Sequence, residues 1–135
     1  MGQLKARRLI TESTFERHGF VCEVVLAMYA AGTPHHRNGY VLLPKGHWAY
    51  GRDYEDPVLI GAPCHGGLTF AGVRDDAYPD EFWLGFDCAH FNDGVLSRWA
   101  THEQEWEYDE AKSRCYVMQH LEKLAEWLSA PMPWS

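Results

Sequence analysis

Phe82-Trp83-Leu84-Gly85-Phe86-Asp87 is the stretch whose reading decides the fold. Side chains alternate faces along a strand, and here Phe82, Leu84 and Phe86 fall on one side with Trp83 on the other. Apolar residues on both sides predict an inner strand covered on both faces. The run leads straight into Cys88-Ala89-His90-Phe91-Asn92-Asp93, a knot of reactive side chains. A second such knot, Cys64-His65-Gly66-Gly67, precedes the short apolar run Leu68-Thr69-Phe70-Ala71, which predicts a partner strand.

Other strands follow upstream. In Gly19 to Tyr29, the residues Phe20, Cys22, Val24, Leu26 and Met28 alternate onto one face among β-branched neighbours, which predicts a strand. An extended piece around Thr14 to Arg17 precedes it, and residues 1 to 11 read as a loose arm or a first short strand. Ala31 to Gly39 reads as a turn ending in Asn38-Gly39, a pair suited to positive φ. Tyr40 to Leu43 then forms an antiparallel strand closed by Pro44. Lys45 to Asp56 is a long loop rich in large side chains, and Val73 to Glu81 is an acidic one. Downstream, a helix is expected near Asp109 to Leu128. Its apolar stripe runs through Ala111, Cys115, Met118, Leu121, Ala125 and Leu128, widened by Val117 and Leu124. Pro131 and Pro133 end it. The expectation is a single α+β domain over residues 1–135: an antiparallel sheet of four to five strands with one long C-terminal amphipathic helix packed on it.

Composition narrows the function. The 135 residues are 46% hydrophobic and carry a formal net charge of −7. That balance speaks against direct nucleic-acid binding, which favours a basic face, and leaves an acidic surface able to meet a basic partner. The 4 cysteines stand far apart, without the pairing of a disulfide framework. No apolar run reaches the roughly 18 to 20 residues that span a bilayer. These features point to a chain of the reducing cytoplasm, with no membrane partner. Oligomeric state is not legible.

The motifs His65-Gly66-Gly67-Leu68-Thr69-Phe70 and Trp83-Leu84-Gly85-Phe86-Asp87-Cys88-Ala89-His90 with Asp93 resemble a widespread group of small phage and prophage proteins. The upstream block Gly39-Tyr40-Val41, Pro44 and Gly46-His47-x-x-Tyr50-Gly51 is similar to the same group, as is the closing helix. Trp48 departs from the group's pattern, which has Pro there. The resemblance implies a phage origin and an accessory protein of the host-cell cytoplasm; it implies no activity.

Several constellations could carry chemistry. His65, Asp87 and His90 form a candidate acid–base site, since imidazole titrates near neutrality. Asp93 joins them as a possible ligand, and with a divalent metal the set offers nitrogen and oxygen donors. Gly66 and Gly67 let a ligand approach the backbone. His47 sits in the cationic and aromatic loop Lys45 to Arg52, which could stack a base or simply cap the sheet. Structural zinc on Cys64, His65, Cys88 and His90 fits poorly, because neighbouring strand residues point apart. Cys64 is the better candidate for a nucleophilic thiol, and Cys22 and Cys115 fall on core faces. The competing reading makes both histidines ordinary packed residues with polar partners.

Two acidic groups complete the picture. Asp75 and Asp76 lead one. Glu103, Glu105 and Glu107 lead the other and, if extended, lie roughly 6 to 7 Å apart on one side. Such rows suit partner binding. Two function classes follow. In the first, the protein binds and inhibits a host protein or ribonucleoprotein complex of defence or nucleic-acid processing, as anti-CRISPR proteins do, without catalysis. The alternative is a small hydrolase-like or nucleotide-processing enzyme that uses the His/Asp site, with or without a metal.

Overall fold

The computed structural model describes residues 8–28, 34–88 and 114–133. They form five strands, β1 (Arg8–Arg17), β2 (Phe20–Met28), β3 (Pro34–Leu43), β4 (Phe70–Val73) and β5 (Phe82–Asp87), followed by one helix, α1 (Arg114–Leu128). The strands make one sheet in the order β1-β2-β3-β5-β4, with every pair antiparallel. The expected α+β architecture is therefore observed. β5 occupies the bounds the apolar run predicts and lies inside the sheet, between β3 and β4.

Local chemistry sets the connections. His18 and Gly19 link β1 to β2 with φ of 54° and 87°. Two consecutive positive angles match the right-handed twist of a tight hairpin. Between the Thr11↔Val25 and Ser13↔Val24 pairs, Glu12 is an extra residue on β1. This bulge aims the Glu12 carboxylate at Arg37 of β3, whose Nε donates to it at 2.7 Å.

The Asn38-Gly39 pair corrects the expectation of a turn there. Both residues lie inside β3, opposite Val25 and Val24 on one side and Asp87 and Phe86 on the other. The reason is packing. A Cβ on Gly39 would stand 2.6 Å from Phe86 Cζ, and one on Gly85 would stand 2.5 Å from Tyr40 Cδ1. Gly39 pairs with Phe86, and Tyr40 with Gly85. Each aromatic ring thus lies flat across the glycine of the neighbouring strand, one on each face of the sheet. These two crossed pairs fix the register of β3 against β5.

The two faces differ. Cys22, Val24, Val41, Leu43, Leu84 and Phe86 point to one side, where α1 seals them with Val117, Leu121, Leu124, Ala125 and Leu128. Burial of each such leucine contributes about 2 kcal/mol. Cys115 is exposed rather than part of the stripe. The buried row instead runs through 117, 121, 124 and 128, at steps of four, three and four, and one helix face cannot also hold position 115. Residues 109–113 lie outside the described residues.

The loop between β3 and β4 completes the same layer with Ala49, Val58, Leu59 and Ala62. It is tied to the end of α1: His47 Nε2 donates to Leu128 O at 2.7 Å, and Trp48 Nε1 donates to Ala130 O at 2.9 Å. Among the described residues no helix is long and apolar enough to cross a membrane.

Candidate functional site

The other face of the sheet carries Val21, Glu23 and Val25 of β2, Asn38, Tyr40 and Leu42 of β3, Trp83 and Asp87 of β5, and Phe70 of β4. Strand alternation and register put them together. Val25, Tyr40 and Trp83 are buried there as a second, small core, with Val21, Leu42 and Phe70 packed around it. Tyr40 meets Phe70 and Trp83 edge-on, at centroid distances of 5.7 and 6.4 Å.

Arg74, the first residue after β4, folds back over this cluster. Its guanidinium lies 4.0 Å from the Tyr40 ring centre and 4.6 Å from that of Trp83. It also donates to Glu23 Oε1 at 2.9 Å. The pair is shielded, with side chains 16% and 19% exposed. Two aromatic faces and a carboxylate together hold the guanidinium in place over this small core.

Around Arg74 runs a groove of about 460 Å³. β1 contributes Leu9 and Thr11, the end of β4 contributes Val73, and the loop after it contributes Asp75, Tyr78 and Glu81. Leu9, Val73 and Tyr78 are exposed by 56%, 40% and 57%, large values for apolar side chains lining one depression. One guanidinium stands in this groove against the carboxylates of Glu23, Asp75 and Glu81. At neutral pH it is therefore negative by two charges.

Beside the groove, and sharing Tyr40 and Phe70 with it, is a smaller polar hollow of about 140 Å³ lined by Asn38, Thr69 and Asp87. Thr69 Oγ1 donates to Asp87 Oδ2 at 3.2 Å, and Asn38 Nδ2 donates to Tyr40 Oη at 3.2 Å. Asn38 is only 8% exposed, and its Oδ1 has no hydrogen-bond partner among the described residues.

The histidine knot lies elsewhere. His65 packs against α1, where its Nδ1 and Tyr116 Oη share a hydrogen bond of 2.8 Å and its ring meets that of His120 at 5.9 Å. Burial, then the positive charge of Lys123 and of His65, hold His120 below the usual imidazole range. Asp87 sits across from Asn38 and alternates with Phe86, which faces His120. His65 and Asp87 are thus on opposite sides of the sheet, and the expected convergence of these two groups does not occur. His90, Asp93, Glu103, Glu105 and Glu107 lie outside the described residues. Among the described residues no group of three or more histidine, cysteine, aspartate or glutamate side chains could hold a metal ion.

The remaining expected residues are dispersed. Gly66 and Gly67, with φ of 68° and 82°, shape the turn before β4 and line a separate hollow of about 240 Å³ with Ile60 and Leu68. His47 uses both ring nitrogens structurally, since Nδ1 also accepts from Ala49 N at 2.9 Å. Burial pushes the Cys64 thiol up to about 12, which leaves almost no thiolate near neutrality. Asp75 does line the groove, and Asp76 is exposed in the same turn. Sequence reasoning missed Glu23, Tyr40 and Arg74. The available signal was Glu23 itself, a charge between Val21 and Val25 on a strand with apolar residues on both sides. No protein-family model, curated protein or solved structure matches the chain.

Proposed function

We propose that this protein is a non-enzymatic recognition module whose open sheet face binds a basic, partly apolar segment of a protein partner. The observation that carries this reading is the groove around Arg74: exposed Leu9, Val73 and Tyr78 beside the carboxylates of Asp75 and Glu81. Apolar walls supply affinity, and a net negative rim selects and steers a positive segment. The phage-like sequence motifs add the class of partner, a host protein or ribonucleoprotein complex of defence or nucleic-acid processing, with inhibition as the consequence. The enzyme alternative has weaker support, because its imidazole and carboxylate do not share a face.

The test is affinity capture from bacterial host extract with identification of what is held, followed by measurement of its Kd. Val73→Glu and Glu81→Lys should each weaken binding about tenfold or more, a change of about 1.4 kcal/mol. His65→Ala should leave it unchanged. A partner bound equally well by both groove variants, or lost only with His65→Ala, would refute the reading.

A further inference from the structure

We infer that the corner formed by Tyr40, Trp83 and Glu23 is an arginine-binding subsite of the groove, and that Arg74 is its resident occupant, exchanged for an arginine of the partner segment. This rests on the groove reading above and specifies one residue of the ligand. The Tyr40 and Trp83 ring planes stand at 82° to each other. A single guanidinium lies over both, 4.0 and 4.6 Å from the ring centres, and donates to the Glu23 carboxylate at 2.9 Å. Two aromatic faces set at a corner beside one carboxylate are the chemistry that captures an organic cation. Here the chain supplies that cation itself.

Three features make the occupant exchangeable. Arg74 lies just past Val73, where the β4 ladder ends, so its side chain leaves the corner without unpairing the sheet. Asp75, Asp76 and Asp80 are exposed in the same loop and receive the displaced charge. Glu23, Tyr40, Arg74 and Trp83 all line the groove, so a segment seated there reaches the corner. Replacing one guanidinium by another leaves the ring and carboxylate contacts unchanged, and the contacts the segment makes elsewhere in the groove tip the balance. An ammonium is a poorer substitute, being strongly hydrated and without a planar face to stack. An occupant tethered to the chain competes at high effective concentration, so Arg74 lowers the affinity of every incoming cation. A merely structural clamp lacks this last property: its removal costs stability and opens no site.

The probe is ethylguanidinium chloride, the group that Arg74→Ala removes, titrated into 15N-labelled protein with ethylammonium chloride as control. In Arg74→Ala the Trp83 indole N–H signal should shift saturably at low millimolar ethylguanidinium, with an affinity at least about tenfold above that of the parent. Ethylammonium should bind this variant about tenfold more weakly, and Glu23→Gln in the same background should weaken ethylguanidinium by a similar factor. No saturable shift in a folded Arg74→Ala variant, equal affinity in parent and variant, or an equal response to both cations would overturn the inference. Should Arg74→Ala not fold, the parent decides. Excess ethylguanidinium should then move the Trp83 indole and Arg74 Nε–H signals with one midpoint, and an unmoved Arg74 signal would overturn the exchange. Partner capture separates this failure from that of the groove reading. An Arg74→Ala variant blind to ethylguanidinium, with the partner still lost by Val73→Glu, would sink only the arginine subsite; a partner retained by Val73→Glu would sink the groove as well.

Discussion

Replacing Gly85 with alanine tests whether the crossed glycine–aromatic pairs hold the sheet and its open face together. The new Cβ would stand 2.5 Å from Tyr40 Cδ1, 2.7 Å from Cε1 and 3.1 Å from Gly39 O. Carbon atoms pack best at about 3.5 to 4.0 Å, so the ring must retreat by about 1 Å. It is boxed in by Phe70, Trp83 and the Arg74 guanidinium at 4.0 Å. Overpacking of this kind costs about 1 to 3 kcal/mol, and loosening the edge-on ring contacts adds about 0.5 to 1 kcal/mol. Relief of glycine's backbone entropy returns about 0.5 to 1 kcal/mol. The net expectation is a loss of about 2 kcal/mol in urea unfolding, with a melting temperature lower by about 8 °C. Gly39→Ala should cost at least as much, because Phe86 and Leu121, at 2.6 and 3.1 Å from the new atom, are both buried in the main core. Only Gly85→Ala should also weaken partner capture under conditions where both variants are folded. A Gly85→Ala protein within about 0.5 kcal/mol of the parent would refute the argument, since that is the scatter of innocuous substitutions.

Other perturbations probe the same physics. Arg74→Met should destabilise by about 2 kcal/mol in urea unfolding, because it leaves the shielded Glu23 carboxylate without its partner and uncovers two rings. The depressed His120 pKa makes stability fall on the acid side. Below about 6.5 the unfolded chain takes up a proton that the folded chain binds less readily, so the urea midpoint should decline from pH 7 to 5, and His120→Leu should flatten that slope. Thiol labelling of the native protein should modify exposed Cys115 first. Cys22, Cys64 and Cys88 should react only on unfolding, since Cys22 and Cys88 are buried and the Cys22 and Cys64 thiols are pushed up to about 12.

Much of the architecture was legible in residue order alone, because period and composition are local properties. Alternation in Phe20 to Met28, apolar residues on both sides of Phe82 to Asp87, and steps of three and four in the closing helix are each visible within a dozen residues. Local signals failed where a distant contact overrode them. Asn38-Gly39 has turn chemistry, yet Phe86, distant in the chain, needs a glycine to lie across and draws the pair into a strand. Cys115 matches the helical spacing, but the sheet selects a row that excludes it. The candidate site was the least legible part. Clustering of histidines, cysteines and glycines along the chain marked His65 and Asp87, which strand alternation sends to opposite faces. Glu23, Tyr40, Arg74 and Trp83 come from four separate segments and share no motif. Chain order determined which segments extend and which coil; only pairing of β2, β3, β5 and β4 decided which side chains meet, because proximity across a sheet depends on register, which no single segment contains.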